Sequence, residues 1–259
     1  MPIKLKMQLS IITISYKNIQ ELKETLDSIN NQVINCHENV LVLSGYSAKE
    51  KKEITQSYSS DFRKFYWDLD NSLFNAMNIG IEKASGDYLL FLNAGDCFVN
   101  PNCINLINNR LSEKKCTSFK TYQIYNNIRI IRDNEPTNKI FFKSGLRTLP
   151  PHQGFLAPNK KELFYNENLK VSADNDWMNK NINKYGVNYS GEIIVDFKLG
   201  GQSTFPTIEI ILIKLKHEKF IRFLIECAKF IYSLFVSKEL YFITMAKIRG
   251  YKIIKKKLK

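Results

Sequence analysis

Histidine and cysteine are both scarce in this sequence, and the scarcity removes several classes of protein at once. Only three histidines occur in 259 residues (His37, His152, His217), which speaks against a His-rich metal centre. Five cysteines (Cys36, Cys97, Cys103, Cys116, Cys227) form no CxxC pair. Their odd count and irregular spacing argue against a disulfide framework and against a zinc site, and fit a reducing cytoplasm. No GxGxxG follows the first apolar run, which disfavours a dinucleotide-dependent oxidoreductase. The basic start, Met1 to Met7, runs into an apolar segment of about seven residues, Leu9 to Ser15. That is too short for a signal-peptide core with its cleavage site, or for a membrane span. No internal repeat is evident.

What is present is a foldable chain with lopsided charge. Hydrophobic residues make up 44%, enough for a sizeable core in one large domain or a domain with an appendage. The net charge is +13. From Phe205 to Lys259 there are 13 Lys and Arg against 4 Glu, so +9 of it lies in the last fifth of the chain. A tail this biased points to an anionic partner surface, a membrane or a nucleic acid.

Strands and helices alternate through the first hundred residues. Leu9 to Ser15 is a near-continuous β-branched run, as a buried parallel strand would be. Leu22, Thr25, Leu26 and Ile29 recur at helical spacing. Val40–Leu43 predicts a second strand, Ala48–Tyr58 a polar helix, Phe62–Trp67 a weaker strand, Ser72–Ala84 a helix and Tyr88–Leu92 a fourth strand. Asn100-Pro101 predicts a further helix start, with Asn as cap and Pro in the first turn. This order implies an α/β fold, a mostly parallel central sheet with helices on both faces. Ligands then bind beyond the carboxyl ends of the strands, which singles out the loops 15–18, 44–47, 67–72 and 93–97. Farther on, Ser118–Tyr125 and Ile128–Arg132 read as a hairpin about Asn126-Asn127. Pro150-Pro151 marks a turn, Glu162–Asn188 reads as partly helical, Gly200-Gly201 as a joint, and the chain beyond Pro206 as helical.

The stretch Asp70-Asn-Ser-Leu-Phe-Asn-Ala-Met-Asn-Ile-Gly80, followed by Ala84-Ser-Gly-Asp-Tyr-Leu-Leu-Phe-Leu-Asn-Ala-Gly-Asp96, carries the chemistry. Read locally, Asn93-Ala-Gly-Asp96 suits a turn before a helix, and Asp174 and Asp176 suit the acidic first turn of one. His152 alone reads as a structural or surface residue, and Asn78 as a stabiliser of a strand–helix turn. Taken together, five ordered motifs resemble the family 2 glycosyltransferases of the GT-A fold, the bacterial polysaccharide, O-antigen and capsule type. They are Ser10–Tyr16 with Leu22, Thr25, Leu26, Ser28 and Ile29; the two consecutive stretches above, taken as one; Pro151-His152-Gln153; Ala173-Asp-Asn-Asp176; and Gly200-Gly-Gln-Ser203. The resemblance covers roughly residues 8–204.

The resemblance implies a transfer reaction from a nucleotide-sugar, with a UDP-sugar expected, to a glycan hydroxyl. It implies donor contacts from Ser15, Tyr16, Ser44, Asp70, Asn78, Asn93 and Asp96. It implies a divalent cation, Mn²⁺ or Mg²⁺, on Asp96, since such an ion bridges phosphate oxygens and offsets the leaving charge. Asp174 is implied as the general base that deprotonates the acceptor hydroxyl, with inversion at the anomeric carbon, and Asp176 is the alternative base. His152, Gln153 and Asp176 are implied on the acceptor or phosphate side. The sequence departs from the family pattern in places. Asn93 and Gly95 stand where the broader family has acids, Ser44 where it often has the base-contacting Asp, and Ser72 and Asn75 where it has Gly and Asp.

Residues 1–204 are therefore expected to form the catalytic domain of a hexosyl- or N-acetylhexosaminyl-transferase, with 205–259 as a basic amphipathic helical tail. Within Phe220–Val236, Arg222, Glu226, Lys229 and Ser233 form one polar stripe on an otherwise apolar helix. A span would not carry three charges through its centre unpaired. A helix in the plane of an anionic membrane surface, aided by Lys255-Lys-Lys257 and Lys259, is the expectation, and a helix packed on the catalytic domain is the other reading. The protein is expected to be cytoplasmic and peripheral to the inner face of the plasma membrane, with a lipid-linked glycan as acceptor. Two rival readings remain: a degenerate scaffold of a polysaccharide-synthesis complex, and a basic nucleic-acid-binding protein. The second is disfavoured by the tail's bulky apolar residues and the lack of any nucleic-acid motif.

Overall fold

The computed structural model describes residues 8–35, 38–69, 72–111, 115–134, 149–169, 172–199, 208, 211 and 220–255. The first half runs β1 (Leu9–Tyr16), α1 (Ile19–Asn30), β2 (Glu38–Ser44), α2 (Ala48–Tyr58), β3 (Arg63–Trp67), α3 (Leu73–Lys83) and β4 (Tyr88–Phe91). These are the strands and helices that the apolar spacing predicts. Local caps set the helix starts. Asn18 accepts the Glu21 N–H, Ser47 and Glu50 form a reciprocal capping box, and Ser72 accepts the Asn75 N–H.

β1 pairs in parallel with both β2 and β4, and β2 with β3. The spatial order is β3-β2-β1-β4, so the chain reverses direction across the sheet at β1. Side-chain alternation sends Leu9, Ile11, Leu41, Leu43, Leu90 and Leu92 to one face, against Leu22, Leu26 and Ile29 of α1 and Ile54 of α2. Ile12, Ile14, Val40, Val42, Leu89 and Phe91 go to the other, against Ala76, Met77 and Ile81 of α3. Both faces are dry, which is why these strands read as unbroken apolar runs.

The second half is mixed. It comprises β5 (Cys97–Phe98), α4 (Cys103–Arg110), β6 (Cys116–Tyr125), β7 (Ile128–Arg132), β8 (Phe155–Pro158), α5 (Ala173–Tyr185), β9 (Val187–Lys198), α6 (Phe220–Phe235), α7 (Lys238–Ile248) and β10 (Lys252–Lys255). β8 runs antiparallel between β4 and β6, β6 and β7 form the expected hairpin, and β9 lies parallel to β6 with an irregular register. The expected helix start at Asn100 shifts to Cys103. The Asn100 Oδ1 accepts the Asn102 N–H at 2.9 Å instead, and Gln32 of the α1 end takes the Ile104 N–H at 3.1 Å.

The tail is not helical throughout. β10 adds to the sheet, antiparallel to β7 with Lys252 opposite Ile131, and α7 buries Phe242 and Ala246 against Ile130. The segment after Pro206 is thus tied to the β6–β7 hairpin by a strand and a helix. Among the described residues, no helix is long and apolar enough to cross a membrane.

Candidate active site

Each of the four parallel strands leaves the sheet through a residue with positive φ: Lys17 (54°), Gly45 (77°), Asp68 (50°) and Gly95 (95°). For lysine and aspartate that conformation costs free energy, and such strain gathers where a ligand is held. All four lie at the carboxyl ends of the strands, around the reversal at β1. The loops are cross-tied. Lys17 N–H donates to Ser44 O (3.1 Å), Asp68 N–H to Leu43 O (2.9 Å), and Gly45 N–H to the Asp68 carboxylate (3.0 Å). Lys51 also pairs with Asp68, and these bonds hold its carboxyl below the usual range.

Gly45 is required where it stands. A Cβ there would meet Lys17 Cγ at 2.7 Å and Tyr16 Cε2 at 2.9 Å. Its absence lets Tyr16, 65% exposed, and Lys17 lie flat over the β2 turn. Leu69 and Leu73 are also left in solvent at this mouth. Tyr16 therefore offers a ring face to a ligand. Ser15 does not offer its hydroxyl: it is buried and bonded to Tyr46 Oη at 2.5 Å. Ser44 is buried at the end of β2. Asp70 and the Gly200–Ser203 motif lie outside the described residues.

The loop after β4 folds onto α1. Thr25 Oγ1 contacts Asn93 O (3.2 Å) and Asp96 O (2.8 Å), and receives the Gly95 N–H (3.0 Å). Asn93 Oδ1 is buried without a hydrogen-bond partner among the described residues. Asp96 is buried, accepts a backbone bond from Asn93, and is held well above the usual carboxylate range by burial, with Glu21 adding negative charge. The expected cation on Asp96 does not fit this geometry. The carboxyl is turned into the protein rather than toward an open coordination position. The site of a Cβ on Gly95 is bounded by the Glu21 carboxylate, at 3.3 Å. Among the described residues no group of three or more His, Cys, Asp or Glu gathers. A hard cation needs accessible oxygen ligands, and the Asp96 carboxyl does not present them.

Antiparallel β8 performs the next assembly. Its pairing with β4 brings the 3-10 turn His152–Gly154, just before β8, to the carboxyl end of β4, where His152 stacks on Phe91 (5.4 Å between centroids). His152 Nε2 shares a 2.6 Å hydrogen bond with Tyr165 Oη, and both are buried. Tyr165 stacks on Trp177 of α5 at 4.9 Å, and Trp177 Nε1 donates to Leu163 O. That stack fixes the start of α5, one turn earlier, where Asp174 stands partly exposed after the left-handed Ser172 (φ 66°). Burial lowers the His152 pKa and raises that of Tyr165 well above 10, while the charge of Asp174 acts on both. Both groups are thus neutral polar neighbours of the aspartate. Among the described residues nothing hydrogen-bonds the Asp174 carboxylate.

The remaining candidates are committed elsewhere. Asn78 donates to Tyr165 O (3.0 Å), accepts the Tyr165 N–H (2.8 Å) and also bonds Glu167. It acts as a clamp between α3 and the His152 cluster. Asp176 pairs with Lys180 at 2.7 Å. Gln153 sits partly buried in the 3-10 turn. Sequence reasoning missed Asp68, although its loop was marked, and Tyr165, whose partners are distant in sequence. Burial pushes the Cys116 thiol up to about 12 and that of Cys97 up to about 11, so neither is a ready nucleophile.

Four loops gathered at the carboxyl ends of a parallel sheet, around its reversal at β1, define an open-sheet α/β domain, the architecture in which ligands bind at such a crevice. The chain belongs to glycosyl transferase family 2, whose description matches residues 10–163. It is 30% identical over 95 residues to an uncharacterised glycosyltransferase of Mycobacterium tuberculosis, 37% of this chain and 36% of that one. It is 32% identical over 95 residues to one of Haemophilus influenzae, 37% of this chain and 32% of that one. The matches thus span about a third of these relatives' length. In fold it is similar to Staphylococcus aureus TarS 1-349 in complex with UDP-GlcNAc (TM-score 0.59, 17% identity, 87% of this chain and 72% of that one). It is also similar to the mannosyltransferase PcManGT of Pyrobaculum calidifontis in complex with GDP-Man and Mn²⁺ (TM-score 0.56, 11% identity, 83% and 62%). The fold is GT-A-like, as the motifs imply.

Proposed function

We propose that this protein is an inverting glycosyltransferase that moves a hexosyl or N-acetylhexosaminyl group from a UDP-sugar to a glycan hydroxyl. The observation that carries the proposal is Asp174: a partly exposed carboxylate, unbonded among the described residues and flanked by neutral His152 and Tyr165. A base must keep a free lone pair facing the reaction, and here the surroundings leave it one. The acceptor oxygen attacks the anomeric carbon and Asp174 takes its proton. The bond from that carbon to the diphosphate breaks on the opposite face, and the nucleoside diphosphate leaves with the electron pair.

The donor lies across the strand ends, its base over Tyr16 and the Ser44–Gly45 turn and its diphosphate toward the Asn93–Asp96 loop. Lys17 is the cation at that mouth. Asn93, partly buried at the start of that loop, is the donor contact that the motif resemblance implies on this side. The wider role is cell-surface polysaccharide synthesis on a lipid-linked acceptor, and the support for that is the motif resemblance together with the basic tail.

The test is a thermal-shift screen of nucleotide-sugars with Mn²⁺, with Mg²⁺ and with chelator. One UDP-sugar is expected to raise the melting temperature, because a ligand of the native state stabilises it. The rise is expected to persist in chelator, since the Asp96 carboxyl is not presented to an ion. Loss of the shift in chelator overturns the cation-independent geometry. Binding without turnover of any acceptor favours the scaffold reading, for which the missing acids at Asn93 and Gly95 are the supporting feature.

A further inference from the structure

The amphipathic helix α6 is turned the opposite way from a helix adapted to water. Its exposed positions include Leu224 (49%), Ile231 (57%), Leu234 (64%) and Phe235 (81%), with Ala228 between them. Residues 224, 228, 231 and 235 fall at helical spacing, so they make one continuous apolar stripe. The polar groups face inward. Glu226 and Lys229 pair at 2.6 Å with only 13% and 19% of their side chains exposed, and Tyr232 Oη bonds Thr244 Oγ1 of α7 at 3.0 Å. Water on the apolar stripe is unfavourable, and none of its positions 224, 228, 231 and 235 is polar.

We propose that this stripe is a lipid-contact surface that seats the α6–α7 hairpin in the headgroup region of an anionic bilayer. The proposal deepens the membrane placement of the tail and rests on that part of the functional reading. Charge selects the occupant. The residues from Phe205 onward carry 13 cations against 4 Glu, and Lys247, Arg249 and Lys252 stand exposed on and just after α7. Apolar side chains beside exposed cations match a sheet of acyl chains beneath anionic headgroups. A nucleic acid would leave the stripe in water. The described part of α6 carries Glu226 and Lys229 at its middle, so it lies in the plane of the surface rather than across it. Among the described residues its charges, Glu226 and Lys229, pair with each other on the inward side, so it docks without rotating.

The test is co-sedimentation of the full chain with phosphatidylcholine vesicles, with and without phosphatidylglycerol. Binding is expected only to the anionic vesicles, with a partition coefficient that falls as salt rises. The variant Ile231→Asp/Leu234→Asp/Phe235→Asp is expected to lower the partition by about tenfold or more. Lys247→Glu/Arg249→Glu is expected to lower it less and to flatten its salt dependence. All substituted side chains are exposed, so melting temperatures should match wild type. The donor-induced thermal shift, read in solution, should also be unchanged, which separates failure of this proposal from failure of the sugar-transfer reading. Three results overturn it: no vesicle binding by wild type, equal binding by the apolar variant, or a wild-type dimer that the apolar variant turns into a monomer. The last would give the stripe to a second copy of the chain.

Discussion

The two ends of the parallel sheet treat their acidic groups differently. At the amino end, Glu38 at the start of β2 is buried, yet its carboxylate receives Ser10 Oγ (2.7 Å), Lys64 Nζ (2.8 Å), Gly86 N–H (3.2 Å) and the Ser85 N–H. Arg63, at the start of β3, is likewise met by Asn39 Oδ1, Tyr58 O and Asn30 Oδ1. At the carboxyl end, Asn93 Oδ1 has no partner among the described residues, the Asp174 carboxylate has none, and Asp96 is held against ionisation by burial. A buried charge that is fully hydrogen-bonded locks a fold, whereas spare acceptors and strained turns hold capacity for a ligand. The amino end stores stability, and the proposed function puts donor binding at the other.

The sharpest way to break this contrast is to remove Asp174. Asp174→Asn keeps shape and loses the base, and kcat for transfer is expected to fall by about 10²–10⁴. The donor-induced thermal shift and the melting temperature should stay near wild type. If the variant instead turns over normally and only melts earlier, Asp174 is a helix-end charge on the α5 dipole and nothing more.

Glu38→Gln should do the converse. The Glu38 carboxyl lies at about 2 against an ordinary 4.5, its burial being outweighed by the bonds from Lys64, Ser85 and Ser10. A depressed carboxylate contributes stability that is fully present above about 4.5 and is lost as pH falls through about 2. At neutral pH the substitution is expected to cost about 3 kcal/mol, with kcat at a permissive temperature unchanged. Melting temperature measured across that acid window should fall more steeply for wild type than for the variant. Equal slopes would mean that the amino end is not where the charge-linked stability resides.

The sequence is informative about these ends to different degrees. The parallel strands are legible because both faces are dry, so Leu9–Ser15 and Tyr88–Leu92 are unbroken apolar runs. The antiparallel half is not. In β9, the run Val187-Asn-Tyr-Ser-Gly-Glu192 carries polar residues and a glycine where its register against β6 shifts, so no period shows and the helical reading of α5 runs on to Asn188. The motifs place Asp174 and His152 near each other, but only the β4–β8 pairing brings the His152 turn to the end of β4. The direction of a side chain at a turn is also hidden. Asp96 and Ser15 have the right chemistry at the right strand ends, yet both are turned inward. The polar stripe of α6 is legible from spacing, but which side faces out depends on α7 and on the sheet edge that β10 extends.

The gentlest probe is Thr25, which joins α1 to the loop after β4. Its hydroxyl receives the Gly95 N–H and lies within hydrogen-bonding distance of Asp96 O, Asn93 O and Glu21 O. Thr25→Val keeps the volume and removes these bonds. A loss of about 1–2 kcal/mol is expected, because buried backbone groups lose a partner, together with a several-fold weaker donor Kd, since the Asn93–Asp96 loop is no longer held at the diphosphate. Thr25→Ser should restore both. A stability loss with donor affinity intact would show that this loop belongs to the scaffold. The ligand-holding end would then shrink to the Tyr16, Gly45 and Asp68 turns and the Asp174 corner.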